Sequence, residues 1–260
     1  MANINSKKWF TDNDYTWYEK LGIKILNAGG NMPKHVGFIT DGNRRSRKQY
    51  NISQREMHLR GFILMTKFMK LCRDFKIEEI SYFSFSIENF KRSLDMNQSI
   101  FDVGTELFNC VPIEKEKFDE MGVCLRVIGN ISLLPLDFQQ SIKDAVKATE
   151  HNKQLIVNIV LSYTSHDEIT HAIGTILKQD GELKDEDINE KLLEQNLYIS
   201  KPLDMIVRTS GETRLSDFLM WQQKNCVIHF NKALWPQLTY TDFFNYLLLY
   251  QRRQHKFQNH

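Results

Sequence analysis

Asp41 stands as the lone acid in the stretch His35 to Arg47, "HVGFITDGNRRSR", and is followed directly by Gly42, Asn43, Arg44, Arg45 and then Arg47. Two later stretches have the same character. One runs Glu88-Asn89-Phe90-Lys91-Arg92, and the other, "RTSGETRLS", begins at Arg208 and carries Arg214 and Ser216. Arginine offers a planar fork that pairs bidentately with phosphate oxygens and stays charged at any relevant pH. Gly and Asn at a strand-to-helix turn let backbone N–H groups approach an anion at the positive end of a helix. Together these residues describe a site for a diphosphate or polyphosphate. A carboxylate among such groups is repelled by the ligand unless a cation lies between them, and Mg²⁺ is commonly held by one or two carboxylates plus substrate phosphates. Asp41 therefore reads as a magnesium ligand. It also reads as an N-cap of the helix that follows, and the two roles are compatible.

Other phosphate chemistries are absent. There is no G-x-x-x-x-G-K followed by Ser or Thr, no G-x-G-x-x-G after the first strand and no D-D-x-x-D cluster. The acid-rich "KDEDINEK" from Lys184 to Lys191 reads as a solvated helix start. With 34 basic against 32 acidic residues, a net charge of +2 in 260 residues argues against a nucleic-acid binder. Cys72, Cys110, Cys124 and Cys226 lie far apart without a C-x-x-C pair, so neither a disulfide framework nor a zinc site is expected, and a reducing compartment fits. No apolar run approaches the ~20 residues that span a bilayer, and the N-terminus lacks a signal-peptide pattern.

The elements that must position these groups alternate between strand and helix. Strands are expected at "HVGFIT", "EEISYFSFS", "VCLRVIG", "LIVNIVLSY", "LDMIVR" and "CVIHF". Helical spacing appears from Trp9 to Leu26, His58 to Phe75, Ile100 to Met121, after Pro135, through Leu197 and at the C-terminus. This pattern predicts an α/β fold with a mostly parallel sheet flanked by helices, in which ligands bind beyond the carboxyl ends of the strands. Residues 31–260 are expected to form the single main domain, preceded by an amphipathic helical segment at 1–30 that packs on that domain or rests on a membrane or partner.

"HVGFITDGNRR", "YFSFSIENFKR" and "DMIVRTSGETRLSDFLMWQ", followed by "LWP" at Leu234 to Pro236, resemble the motifs of the cis-prenyltransferases in order and spacing. The likeness extends from about Trp17 to Gln251. "LLPLDFQ" and "VRTSGETRLSDFL" resemble the eukaryotic, dehydrodolichyl diphosphate-forming branch of this undecaprenyl diphosphate synthase-like family. The resemblance implies condensation of isopentenyl diphosphate onto an allylic diphosphate such as farnesyl diphosphate. It also implies an apolar product tunnel, with the helices at His58 to Phe75 and Ile100 to Phe118 as candidate walls; ordinary core packing accounts for the same side chains.

By the resemblance Asp41 holds Mg²⁺ on the allylic diphosphate, and Gly42, Asn43, Arg44 and Arg45 cradle its phosphates. Arg208, Arg214 and Ser216 bind the diphosphate of isopentenyl diphosphate, while Asn89 and Arg92 lie near the reacting centre. His58 is retained from a G-H-x-x-G motif, as a site residue or a buried structural histidine. Met57 and Gln54 stand where the family commonly has Gly and Arg, with Arg55 as a candidate substitute. Val227 replaces a metal-binding Glu of bacterial members, which leaves magnesium chiefly on Asp41 and phosphate oxygens. The C-terminal "YQRRQHKFQNH" lacks the R-x-G sequence of self-sufficient homodimers. A heteromer with a Nogo-B-receptor-like subunit is thus the leading expectation, beside a homodimer. A non-catalytic scaffold of the same fold is the alternative, though such a chain is expected to lose Asp41 and the arginines. The implied location is the cytoplasmic face of the endoplasmic reticulum, as a peripheral protein, or the cytosol.

Overall fold

The computed structural model describes residues 8–10, 15–178 and 187–258. Its centre is a wholly parallel sheet whose strands are β1 (His35–Ile39), β2 (Glu79–Ser86), β3 (Val123–Ile128), β4 (Leu155–Tyr163), β5 (Met205–Arg208) and β6 (Val227–Phe230). Their order across the sheet is β3-β4-β2-β1-β5-β6. β1 and β5 are buried throughout, as expected for interior strands covered on both faces, whereas the edge strand β6 exposes Ile228 and Phe230.

The helices are α1 (Trp17–Ala28), α2 (Asn43–Tyr50), α3 (Gln54–Asp74), α4 (Leu94–Asn109), α5 (Lys115–Met121), α6 (Leu136–Thr149), α7 (Ser165–Ile176), α8 (Glu190–Asn196) and α9 (Tyr240–Gln258). Local chemistry sets several of their starts. Thr16 and Glu19 form a capping box on α1, and the Ser53 and Thr164 hydroxyls accept from the N–H groups of Glu56 and Asp167. α3 buries Phe62, Phe68, Met69, Leu71 and Cys72 against the sheet beside Phe38, Tyr82, Trp235 and Phe243. The opposite face carries a smaller core of Ile39, Phe83, Tyr163, Ile206 and Phe218. Phe38 and Ile39 thus point to opposite faces, following the two-residue period of a strand.

The helical expectation for Trp9 to Leu26 needs correction. The helix begins at Trp17, residues 11–14 lie outside the described residues, and Trp9 is sealed in the main core. Its ring meets Phe62, Phe108 and Phe118 edge-on, and its Nε1 donates to the Leu107 carbonyl at 2.8 Å. Tertiary packing, not helical periodicity, explains its aromatic character. The stretch from Ile100 to Met121 divides into α4 and α5, because Pro112 has no N–H with which to continue a helix. Of "KDEDINEK", residues 184–186 lie outside the described residues, and Asn189 caps α8 through its side chain. The four cysteines are not disulfide-bonded; Cys72 and Cys124 are buried.

Candidate active site

β1 and β5 run side by side, with Ile39 in register with Arg208, so their carboxyl ends open at one place. The chain reverses direction across the sheet here, since β2 lies on one side of β1 and β5 on the other. Such a crevice is where open α/β sheets bind ligands. A cavity of about 940 Å³ occupies it, and all the site residues expected from sequence line it: Asp41, Gly42, Asn43, Arg44, Arg45, His58, Asn89, Arg92, Arg208, Arg214 and Ser216.

After β1 the backbone turns through Gly42 at φ 104°, a left-handed conformation that glycine adopts without strain. Gly42, not Asp41, is the N-cap of α2, and no side chain caps that helix. The expected N-cap role of Asp41 is therefore replaced by one at the cavity. Its Oδ1 accepts from the Gly42 N–H at 2.7 Å, and its Oδ2 accepts from Arg208 Nη2 at 2.9 Å. Burial pushes the Asp41 carboxyl up, but hydrogen bonding and the Arg208 charge outweigh it and hold the group below its ordinary range. The first turn of α2 has no acid and carries Arg44 and Arg45, contrary to what its dipole favours. An anion at that helix end resolves the conflict.

Arg208 is 2% exposed. Its Nη1 donates to Ser216 Oγ at 2.7 Å and to the Arg214 carbonyl, while its Nε has no hydrogen-bond partner among the described residues. The connection that follows holds Ser210, Ser216, Asp217 and Leu219 at positive φ, each strained for a residue with a side chain. It bends around the Arg208 guanidinium. Glu212 accepts from Arg45 at 3.4 Å and also pairs with Arg214, so one carboxylate links the two groups of arginines.

At the end of β2, Ser86 and Asn89 cap a short turn reciprocally; Asn89 Oδ1 accepts from the Ser86 N–H at 3.2 Å. This fixes Asn89 and aims the segment carrying Arg92 at the cavity. Burial lowers the pKa of Arg92, and the charge of Arg44 lowers it further against the opposing effect of Asp41. Arg92 and Arg44 are thus cations brought together where an anion relieves both. Burial, aided by Arg92, takes His58 down to about 4, so the imidazole is neutral at neutral pH; its Nε2 is buried with no hydrogen-bond partner among the described residues.

Several residues depart from the expectations. Arg55 pairs bidentately with Glu106 on α4, at 2.8 and 2.5 Å, and does not line the cavity. It does not replace the arginine expected at Gln54, whose amide instead donates to the Met96 carbonyl at 3.2 Å. Val227 pairs with Met205 at the opposite end of the strands from Asp41. The structure also adds Glu212, His166 and Asp217 to the cavity wall. His166 reads locally as an ordinary residue of a helix start, so only its tertiary position reveals it.

A second, apolar chamber of about 120 Å³ adjoins the first, sharing Thr40, Asn43, His58, Ser84, Phe85 and Ile100 with it. Phe62 and Met65 of α3 and Phe101, Leu107 and Phe108 of α4 line it, with Trp9 among them. α3 and α4, which fall within the stretches expected as tunnel walls, both line this chamber.

For a metal, the described residues contain no cluster of three His, Cys, Asp or Glu. Asp41 offers an ionised carboxylate beside the cationic cradle, which suits a hard cation such as Mg²⁺ completed by diphosphate oxygens.

An anion cradle that opens on an apolar chamber, at the strand ends of a parallel α/β sheet, defines a protein built for a phosphorylated, oily ligand. Comparison with known proteins agrees: residues 39–258 match the family model described as putative undecaprenyl diphosphate synthase. The human dehydrodolichyl diphosphate synthase complex subunit DHDDS is 38% identical over 94% of this chain and 74% of its own. A dehydrodolichyl diphosphate synthase complex subunit of Schizosaccharomyces pombe is 37% identical over 90% of this chain and 91% of its own. Lavandulyl diphosphate synthase from Lavandula x intermedia, solved with dimethylallyl diphosphate, superposes with a TM-score of 0.76 at 26% identity, covering 85% of this chain and 95% of its own. The chain belongs to the undecaprenyl diphosphate synthase family, whose members are cis-prenyltransferases.

Proposed function

We propose that this chain is the catalytic subunit of a cis-prenyltransferase that condenses isopentenyl diphosphate onto an allylic diphosphate such as farnesyl diphosphate, making long-chain dehydrodolichyl diphosphate for dolichol synthesis. The observation that carries this reading is the assembled cradle around Asp41 and Arg208, opening onto an apolar chamber. Relatives named as dehydrodolichyl diphosphate synthase complex subunits support the product class.

In the reaction the π electrons of the isopentenyl double bond form the new C–C bond, the allylic C–O bond breaks, and one proton is lost. Charge then develops on the departing diphosphate. The α2 amides after Gly42, with Arg44 and Arg45, are fixed donors where that charge appears, which lowers the barrier without reorganisation. Arg208, Arg214 and Ser216 hold the diphosphate of the extending unit on the β5 side. Asn89 and Arg92, which line the same cavity, act near the reacting centre in this reading. Mg²⁺ held by Asp41 and diphosphate oxygens supplies further neutralisation of the leaving group.

A Nogo-B-receptor-like partner subunit belongs to this reading, supported by relatives that are themselves subunits of dehydrodolichyl diphosphate synthase complexes. A peripheral contact with the endoplasmic reticulum membrane falls to α1. Its Trp17, Leu21 and Ile25, four residues apart, are 76%, 48% and 60% exposed. No helix among the described residues is long and apolar enough to cross a membrane.

The test is elongation of farnesyl diphosphate with radiolabelled isopentenyl diphosphate, with and without Mg²⁺ and with and without the partner. Polyprenyl diphosphates are expected only with the metal. An absence of product in every arm overturns the assignment, and strong turnover by the isolated chain overturns the need for a partner.

A further inference from the structure

His166 is the second residue of α7 and lines the same cavity as Asp41. Its side chain is 92% exposed yet held, because Nδ1 lies 2.7 Å from Asp217 Oδ2. The hold is built from several bonds. The Ser165 N–H and hydroxyl both donate to the Asp217 carbonyl, at 2.9 and 3.1 Å, and the Met220 N–H donates to Ser165 Oγ at 2.8 Å. These bonds fasten the start of α7 to the connection that carries Arg214 and Ser216. They do so where Ser216, Asp217 and Leu219 all have positive φ. An exposed histidine needs no such anchoring for stability, since surface pairs contribute little. Orientation toward the cavity is what the anchoring achieves.

We propose that His166 is a further binding and positioning residue for the diphosphate of the extending isopentenyl unit, presented by Asp217 with its Nε2 free to donate. The proposal rests on the reading of function above. With Nδ1 donating to a carboxylate, the protonated ring has one N–H left for a phosphate oxygen. The hydrogen bond and charge of Asp217 raise the imidazole above 6.5, so the cation persists past that pH and is lost as pH rises further. The other charged groups on the cavity wall are Glu212, Arg214 and Arg208 beside Asp217, Asp41 after β1, Glu88 and Arg92 from the end of β2, and Arg44, Arg45 and Lys48 from α2. Asp167 neighbours His166 on α7. All these arginines remain charged throughout. Histidine is the side chain whose ordinary titration range lies nearest neutral pH, which sets His166 apart from the arginines around it.

The test is the KM for isopentenyl diphosphate from about pH 6 to about pH 8. It is measured in the full chain, in the assembly that turns over, for wild type, His166→Arg and His166→Gln. Substrate phosphate ionisation is common to all three and cancels in the comparison. Wild type is expected to follow His166→Arg at low pH and His166→Gln at high pH. The gap between the variants is expected to be about two- to fivefold, the scale of a solvent-exposed ion pair, with kcat and the allylic KM unchanged. Asp217→Asn is expected to raise the KM as His166→Gln does and to lower the imidazole pKa seen by NMR. Superimposable profiles in an active enzyme, or an effect on kcat alone, overturn the role of His166. A wild-type chain that forms no product overturns the functional assignment instead.

Discussion

The Arg208 guanidinium and the Asp41 carboxylate are 2.9 Å apart, although 167 residues separate them in the chain. One comes from the end of β5 and the other from the end of β1, and both line the same cavity. In the proposed reaction they belong to the extending and the allylic diphosphate respectively. Arg208 is nearly inaccessible and its Nε has no hydrogen-bond partner among the described residues, so it is already desolvated before any ligand arrives. Such preorganisation is what makes fixed donors effective at developing charge.

Asp41→Asn keeps the size of the side chain and one oxygen for the Gly42 amide, but removes the charge proposed to hold Mg²⁺. The expected outcome is a fall in kcat of about 10²–10³-fold, the scale for losing one preorganised electrostatic group, with the fold intact by circular dichroism. Steady-state rates at saturating Mg²⁺ decide it, and an unchanged kcat removes Asp41 from the chemistry.

Gly42→Ala tests the turn itself. The glycine sits at φ 104°, and an added Cβ would lie 2.9–3.0 Å from Leu234, including its Cα. Leu234 is a poor candidate to move, because the next residue, Trp235, donates its N–H to the Asp41 carbonyl at 2.9 Å. The left-handed conformation alone costs an alanine about 1–2 kcal/mol. Some of that appears as displacement of the α2 amides, so the KM for the allylic diphosphate is expected to rise by about tenfold. That for isopentenyl diphosphate is expected to change less.

The parts of the site that lie at strand ends were legible because two local signals coincide there. A strand shows as an apolar run, and a phosphate site shows as arginine, glycine and small polar residues just after it. The pairing of Asp41 with Arg208 was not legible, since only the β1–β5 register brings them together. Arg55 illustrates the reverse error. Its type and position suited a phosphate ligand, but one step along α3 turns a side chain by about 100°, and Arg55 faces Glu106. His166 and Asp217 gave no signal, because a Thr-Ser-His-Asp helix start looks the same whether or not a loop docks on it. The division at Pro112 was readable from proline's missing donor.

His58 gives the site a pH signature of its own. Its pKa falls from 6.5 to about 4 on folding because burial disfavours the cation. An unfolded chain therefore binds the proton first, and the stability contributed by the neutral ring, complete above pH 6.5, is lost as pH falls toward 4. His35 and His229 are depressed by burial too, so the variant comparison isolates the effect. His58→Gln is expected to flatten the loss of stability between those pH values, as read from urea unfolding at a series of pH. A slope identical to wild type rules out a depressed His58.

Trp9 sets the most direct test of chain length. The apolar chamber holds only about 120 Å³, below the roughly 300 Å³ at the lower end of drug-sized ligand sites, so a long product has to displace something as it grows. α3 and α4 are pinned to one another by the Arg55–Glu106 pair and by Gln54, whereas Trp9 belongs to a separate segment. That segment is held through its N–H on Glu114 at 3.1 Å and its indole on Leu107. Removing the indole leaves a hole where it meets Phe62, Phe108 and Phe118. Trp9→Ala is expected to destabilise the protein by about 3–5 kcal/mol, and Trp9→Leu by less. Both are expected to move the product distribution toward longer polyprenyl diphosphates, with the KM values for the two diphosphates unchanged because Trp9 does not line the cavity that holds the cradle. Thin-layer chromatography of radiolabelled products alongside thermal melts separates the two effects. Lower stability with an unaltered product ladder places the floor of the tunnel elsewhere.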